Sequence, residues 1–217
     1  MCAIYGSRSL EKFKELYELN IQRGDSAYGL VLINNHKKAF ILKGAGRCNK
    51  LMEMIPSQNS FIYYTGHTQA PTSAAQLFNP KTSHPFICGD WIVSHNGVLT
   101  NHEALRERVL KEKVNIVDSS VISALLDEEV EDCRLSEIAA VLSELEGTHS
   151  TTIYNRRHKA LLIARCGSTL FVDEEGSYSS TEFKGSKEVP DGALLEYSDR
   201  RFNHVCTFKS NSPFFIL

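Results

Sequence analysis

Short apolar runs dominate the first hundred residues and predict strands, with two helices among them. The first helix is predicted from Leu10 to Ile21, where apolar side chains recur at helical spacing after Ser9, a residue type suited to an N-cap. A shorter helix is predicted from Cys48 to Met54. The predicted strands of this region are Ala3–Tyr5, Tyr28–Ile33, Ala39–Leu42, Ser60–Thr65 and Ile92–Ser94.

The middle of the sequence has helical spacing, and its last third returns to strands. Helices are predicted over Asn101–Leu110, Ser119–Glu128 and Leu135–Leu145, with Asn101 and Asp118 as caps and Gly147 as a terminator. The later strands are predicted over Thr151–Tyr154, Ala160–Ala164, Thr169–Val172, Ala193–Tyr197 and His204–Phe208. Strands, then helices, then strands favour a layered α/β domain with largely antiparallel sheets.

Composition narrows the class of protein. A length of 217 residues fits a single domain over residues 1–217, and a net charge of −2 argues against nucleic acid as a partner. The sequence has no apolar stretch of about 20 residues and no signal segment, so no membrane partner and a cytoplasmic location are expected. The six cysteines are scattered without a C-x-x-C pair, so we expect neither disulfides nor a metal site, and no cofactor.

Cys2 is the first candidate for chemistry. Removal of Met1 is favoured before a small side chain and would leave a thiol and a free α-amine on one residue. The amine has an ordinary pKa of about 7.7–8.0 and the thiol about 8.5, so the amine can accept the thiol proton. The alternative is that Cys2 is a small buried hydrophobe in the first strand.

Three further segments place glycine beside polar groups at predicted strand ends. They are Arg23–Gly29, Gly66–Thr72 and Ser94–Arg106. In the third, the Asn96 amide and the Gly97 N–H are suitable donors to an oxyanion, although Asn-Gly is also typical of a tight hairpin turn.

Taken in order, these segments resemble the class II glutamine amidotransferase domain of the N-terminal-nucleophile hydrolases. The resemblance begins at Cys2, spans nearly the whole sequence and includes three later motifs, Arg165–Leu170, Ser179–Glu182 and Pro190–Gly192. It implies a four-layer αββα sandwich of two antiparallel sheets flanked by helices. It also implies an enzyme that releases ammonia from glutamine, without a cofactor, for a separate synthase subunit.

The resemblance implies a role for each catalytic position. The Cys2 thiolate attacks the δ-carboxamide of glutamine, with its own α-amine as the base. Asn96 and Gly97 hold the oxyanion, ammonia leaves, and water hydrolyses the γ-glutamyl thioester.

The resemblance also implies positions around the substrate. Asp118 pairs with the α-ammonium of glutamine, Thr72 lies near its carboxylate, and Arg23 orders the loop of the nucleophile. Asp118 has a second interpretation, as a helix cap only, and the two roles are compatible.

The sequence departs from the family pattern at Gln69. The family usually has an arginine there, which binds the glutamine α-carboxylate, and a neutral amide cannot replace a guanidinium. Arg47 could supply the charge from a neighbouring loop. Two alternatives therefore stay open: a hydrolase of another γ-glutamyl amide, or a silent binding protein, which a retained Met1 would favour. The apolar tail, residues 212–217, either docks on a synthase or packs on its own sheet.

Overall fold

The computed structural model describes residues 2–55, 61–70, 78–110, 114 and 117–211. Within these residues the strands in sequence order are β1 (Ala3–Ser7), β2 (Ala27–Asn34), β3 (Ala39–Ala45), β4 (Phe61–Gln69), β5 (Phe86–Cys88), β6 (Trp91–Leu99), β7 (Gly147–Asn155), β8 (Ala160–Cys166), β9 (Phe171–Val172), β10 (Tyr178–Ser179), β11 (Lys187–Glu188), β12 (Ala193–Ser198) and β13 (Arg201–Thr207). The α-helices are α1 (Leu10–Asn20), α2 (Asn49–Met54), α3 (His102–Arg108), α4 (Ser120–Glu129) and α5 (Leu135–Glu144).

The strands form two antiparallel sheets. The first has the order β11-β9-β10-β1-β4-β2-β3, so that β1 lies in its interior between β10 and β4. The second has the order β13-β12-β8-β7-β6-β5. The pairing of β6 with β7 runs from Trp91 opposite Asn155 to Leu99 opposite Gly147.

Three hydrophobic clusters separate four layers. α1 packs on the outer face of the first sheet through Phe13, Leu16 and Tyr17. α3, α4 and α5 cover the outer face of the second sheet. The inner faces of the sheets pack on each other through a third cluster, which includes Ile4, Val31, Ile33, Tyr63, Ile92, Tyr154, Leu161 and Ile163. The αββα sandwich expected from the sequence is confirmed.

The local signals for α1 act as predicted. The Ser9 side chain accepts a hydrogen bond from the Lys12 N–H at 3.3 Å, which satisfies one of the free donors at the helix start. The helical repeat of apolar positions then turns one face toward the sheet.

The space between the sheets changes character along its length. On β4 the side chains that face the second sheet alternate along the strand, from Tyr63 through Thr65 and His67 to Gln69. We call one end the apolar half, formed by Ile33, Tyr63, Ile92, Tyr154 and Leu161. We call the other end the polar half, formed by His67, Gln69, Asn96, Ser150 and Ser180.

Several elements differ from the sequence prediction. β4 and β6 continue through the polar motifs that were expected at strand exits, so Asn96-Gly97 lies inside β6 and is not a hairpin turn. The reason is that β7 pairs with β6 along its full length. Asn101 does not cap α3 with its side chain; its amide donates to Glu144 O at 2.8 Å. No helix in the described residues is long and apolar enough to cross a membrane.

Candidate active site

Cys2 directly precedes β1 and stands opposite Gln69 on β4. The β1–β4 register pairs Ile4 with His67 and Ala3 with Thr68, and the next pair in that register is Cys2 and Gln69. Ile4 belongs to the cluster between the sheets. Because side chains alternate along a strand, Cys2 lies on the same face as Ile4, at the mouth of the polar half.

The surroundings of Cys2 hold its backbone and keep its thiol protonated. The Arg23 guanidinium donates through Nε to Cys2 O at 3.0 Å and through Nη1 to Ser180 O at 3.4 Å. Burial raises the pKa of the Cys2 thiol, a hydrogen bond with the Ala70 backbone lowers it, and the nearby Asp118 charge raises it. The net shift is upward, so the thiol needs a base before it can act as a nucleophile.

The Asn96 amide is surrounded by serine hydroxyls. Its Nδ2 lies 3.3 Å from Ser150 Oγ, 3.2 Å from Ser168 Oγ and 3.2 Å from Ser180 Oγ, and the residue is 3% exposed. The Ser150 hydroxyl donates to backbone carbonyls, so it accepts from Asn96. Ser180 Oγ also accepts from the Ile4 N–H at 3.0 Å and so links Asn96 to the strand that follows Cys2.

Gly97 occupies a position that only glycine can fill. Its φ of +152° is rarely adopted by other residues, and a Cβ there would overlap the Thr148 carbonyl on the adjacent strand. The close approach of β6 and β7 therefore depends on Gly97.

Asp118 accepts backbone hydrogen bonds directly before α4 and lies near Cys2, and its binding of the substrate α-ammonium stays a prediction. Its Oδ1 accepts from the Ser119 N–H at 2.7 Å, directly before α4, and its Oδ2 accepts from the Leu99 N–H at 3.1 Å. Burial opposes its ionisation, but His95 and these hydrogen bonds outweigh it and lower the pKa of Asp118. The resulting carboxylate is close enough to Cys2 to raise the pKa of that thiol.

Buried histidines contact the residues that hold Asp118 and the strand that carries Asn96. His95 Nδ1 lies 2.8 Å from Ser119 Oγ, which itself donates to Asp118. His67 Nε2 donates to the His95 carbonyl at 3.0 Å, and its ring stacks on that of His84 at 3.9 Å between centroids. Burial lowers the pKa of all three rings, so they are neutral at pH 7. Among the described residues, no group of three or more His, Cys, Asp or Glu is arranged to hold a metal ion.

The structure brings most of the sequence-predicted residues to one end of the sandwich. Cys2, Arg23, Gln69, Asn96 and Asp118 meet there. Thr72 and the 212–217 tail lie outside the described residues. Arg47 and Asp25, which are both exposed, form an ion pair at 2.9 Å.

Sequence reasoning gave three serines around Asn96 no place at the site. Ser168 and Ser180 stood in motifs without a role, and Ser150 was not singled out. A usable signal for Ser150 is that it shares a strand face with Thr152 and the buried Tyr154, which makes it a polar residue directed inward.

The amino-acid sequence is similar to those of glutamine amidotransferase domains and of named enzymes. Residues 74–176 match the family described as glutamine amidotransferase domain. The glutamine–fructose-6-phosphate aminotransferase (isomerizing) of Wigglesworthia glossinidia brevipalpis is 33% identical over 187 residues, 79% of this chain and 30% of the relative. The enzyme of the same name from Haemophilus influenzae is 30% identical over 186 residues, with the same two coverages. The protein thus spans about 30% of the length of these relatives.

Solved structures share the fold. The glutamine phosphoribosylpyrophosphate amidotransferase of B. subtilis superposes with a TM-score of 0.71 at 18% identity, over 94% of this chain and 48% of that one. A glutamine aminotransferase class-II domain protein from Silicibacter pomeroyi gives 0.64 at 14% identity, over 96% and 99% of the two proteins. Sequence and fold together therefore make this protein similar to the class II glutamine amidotransferase domains.

Proposed function

We propose that this protein hydrolyses the δ-carboxamide of glutamine with Cys2 as the nucleophile, and that the ammonia passes to a synthase partner. The observation that carries the proposal is the convergence of Cys2, the Asn96 amide and the Asp118 carboxylate at the polar half. A nucleophile, an oxyanion donor and a group for a substrate cation are the parts that this acyl transfer requires.

The first step needs a base for the buried thiol. After removal of Met1, the α-amine of Cys2 takes the thiol proton, since its ordinary pKa of about 7.7–8.0 lies close to working pH. The sulfur then attacks the carboxamide carbon, and the amine returns the proton to the departing ammonia. Water cleaves the thioester and leaves glutamate.

Negative charge develops on the carbonyl oxygen during both halves of the reaction. The Asn96 amide and the Gly97 N–H are the proposed donors to that oxygen. The serine hydroxyls around Asn96 fix the place of the amide before the substrate arrives, and the oxyanion takes one of its two N–H groups in place of a serine.

Positions around the substrate have separate roles in the proposal. Asp118 is ionised and partly buried, which suits a pair with the α-ammonium. Arg23 fixes the Cys2 carbonyl and through it the start of β1. Gln69 lines the site opposite Cys2, and the role of Thr72 near the carboxyl group stays a prediction.

The use of the ammonia is a proposal drawn from the relatives. The curated relatives are named as aminotransferases, and this protein spans about 30% of their length. A synthase, in a separate subunit, would complete the same kind of reaction. Cytoplasmic location likewise stays a prediction of the sequence.

Ammonia release from glutamine tests the proposal. The protein is purified, its Cys2 N-terminus is verified by intact mass, and its rate is compared with that of Cys2→Ala. Cys206→Ala serves as a matched control, because Cys206 is a partly exposed cysteine on β13. We expect a loss of at least about 10³-fold for Cys2→Ala and no change for the control. Equal rates for wild type and Cys2→Ala, or full activity with Met1 retained, would contradict the proposal.

A further inference from the structure

The amide of Gln69 has an unused acceptor in the candidate site. Gln69 is 2% exposed, and its Oε1 accepts no hydrogen bond from any partner among the described residues. Its backbone is fixed, because its carbonyl accepts from the Ser26 N–H at 2.9 Å. Leaving a buried carbonyl oxygen unpaired is costly, so a ligand that donates a hydrogen bond to Oε1 recovers that cost.

The position of this oxygen relates it to the nucleophile. Gln69 and Cys2 continue the β1–β4 register as a cross-strand pair, and both side chains lie on the face toward the second sheet. Side chains of such a pair are about 5 Å apart at Cβ. When the substrate carboxamide reaches the Cys2 sulfur, the α-carbon end of the same substrate therefore lies near the Gln69 amide.

The charges around Cys2 do not suit a free carboxylate. Arg23 influences the thiol electrostatically, but its Nε and Nη1 already donate to the Cys2 and Ser180 carbonyls. Arg47 is exposed and pairs with Asp25. The seven residues that follow Ala70 in the sequence contain no Lys or Arg. Among the described residues, neither Arg23 nor Arg47 has its whole guanidinium free for an α-carboxylate beside Gln69, which would lose its hydration there.

The charges do suit a free α-ammonium. Asp118 is ionised, and its charge is near enough to Cys2 to raise the pKa of the thiol. The site thus combines one carboxylate with one neutral amide. The ligand that complements these groups is a glutamine unit with a free α-amine. Its α-carboxyl group is present as an amide, which offers an N–H in place of a negatively charged oxygen.

We infer that the preferred substrate is amide-linked glutamine, meaning the N-terminal glutaminyl residue of a peptide or a comparable glutamine α-amide. Gln69 Oε1 accepts from the N–H of that linkage, and Asp118 binds the α-ammonium. The inference rests on the proposed function. The bond from the δ-carbon to the amide nitrogen breaks as the bond from that carbon to sulfur forms. Water then replaces sulfur, and the products are ammonia and an N-terminal glutamyl residue.

Competing substrates test the inference. Ammonia release and product mass are measured for free L-glutamine, glutaminylglycine and N-acetylglutamine with Cys2-processed protein. We expect kcat/KM for glutaminylglycine to exceed that for free glutamine by about 10-fold or more, and N-acetylglutamine to be the poorest substrate. The margin follows from the charged hydrogen bond that a free carboxylate lacks in this site.

Variants at Gln69 separate recognition from folding. Gln69→Arg adds a cation and should reverse the preference in favour of free glutamine by about 10-fold or more. Gln69→Met keeps the length, removes the acceptor and should lower kcat/KM for glutaminylglycine by a larger factor than kcat/KM for free glutamine. Arg47→Gln, the matched control, should change neither substrate.

The outcomes distinguish the inference from the proposed function. Faster turnover of free glutamine by the wild type, or its loss in Arg47→Gln, would overturn the inference and leave glutamine hydrolysis intact. If all three substrates gave no ammonia above the Cys2→Ala level, the proposed function itself would be wrong, and the inference would fall with it.

Discussion

The polar and apolar halves of the space between the sheets are built from the same strands and differ in which residues face inward. On β4 the inward residue is Tyr63 at one end and Gln69 at the other. β6 turns Ile92 inward at the first end and Asn96 at the second. The apolar half contributes burial and therefore stability, whereas the polar half contributes hydrogen-bonding groups that folding alone does not use.

Some buried polar atoms in and next to the polar half have no hydrogen-bond partner among the described residues. His67 Nδ1, Gln69 Oε1 and both ring nitrogens of the neighbouring His84 accept or donate no hydrogen bond in the described residues. Each such group costs stability, so the unpaired Gln69 amide oxygen opposite Cys2 indicates a demand other than folding. One continuous interface between the two sheets thus contains the residues that stabilise the fold at one end and the candidate active site at the other.

Loss of the Asn96 amide in the polar half should reduce turnover most strongly. Asn96→Ala removes an oxyanion donor and should lower kcat for ammonia release by about 10²–10³-fold. Asn155→Ala is the matched control, because Asn155 is a buried asparagine like Asn96. It lies on β7 at the apolar end, where its side chain accepts a hydrogen bond from the His158 N–H. A loss of only a few-fold in Asn96→Ala would break the comparison.

The next effect comes from Leu161 in the apolar half. Leu161 is 4% exposed, and Leu161→Ala should lower the free energy of unfolding by about 2–5 kcal/mol through lost burial and a cavity. Denaturant titration measures this, while kcat of the folded protein should stay within about twofold. Ser150→Ala, a truncation in the polar half, should cost only about 1 kcal/mol. Equal costs at the two positions would contradict the division.

Acid should weaken the molecule through its buried histidines. Burial lowers the pKa of His67 and of His149 to about 3, whereas a histidine side chain in the unfolded protein has a pKa near 6.5. Their contribution to stability is therefore present above about pH 6.5 and is lost as pH falls toward 3. Between pH 6.5 and 5, each histidine should lower the free energy of unfolding by about 2 kcal/mol.

Substitution of one histidine measures this slope. His149→Phe should flatten the pH dependence of unfolding, because the His149 ring is fully buried against Phe208 and has no hydrogen-bond partner among the described residues. His204→Gln, at an exposed position on β13, should leave the slope unchanged. The same slope in His149→Phe as in wild type would refute the assignment.

Ser168, which acts through Asn96, should contribute least to turnover. Ser168→Ala removes one hydrogen bond to the Asn96 amide and should lower kcat by about three- to tenfold without raising KM. In a double-mutant cycle with Asn96→Ala, the loss of Ser168 should have no further effect. Additive losses would show that Ser168 acts separately from Asn96.

Apolar spacing predicted a layered α/β domain with antiparallel sheets, and the family resemblance supplied the number and order of the layers. α1 follows from Ser9 and the repeat of Phe13 and Leu16, and the inward strands of the apolar half follow from their apolar runs. β4 and β6 were predicted too short. Their inward residues turn polar at His67 and Asn96, so the apolar pattern stops before the strand does.

The candidate site was predicted only in part. Cys2 and Asn96 could be found from their residue types and neighbours, and the family resemblance joined them. The serines around Asn96 could not, because Ser150, Ser168 and Ser180 belong to separate segments that meet only when the two sheets pack. The unpaired state of Gln69 is likewise a tertiary property.

The pairing of Ile4 with His67 has a consequence for the spacing of the N-terminal segment. Because side chains alternate between the two faces of β1, the number of residues between Cys2 and Ile4 decides which face of the sheet the sulfur lies on. One residue inserted between Cys2 and Ala3 would rotate the thiol toward the helix-covered side, where Tyr5 and Phe13 pack. Two inserted residues would restore the correct side but overshoot the cleft by roughly 7 Å. The distance in sequence from sulfur to strand therefore tolerates neither an odd nor an even change.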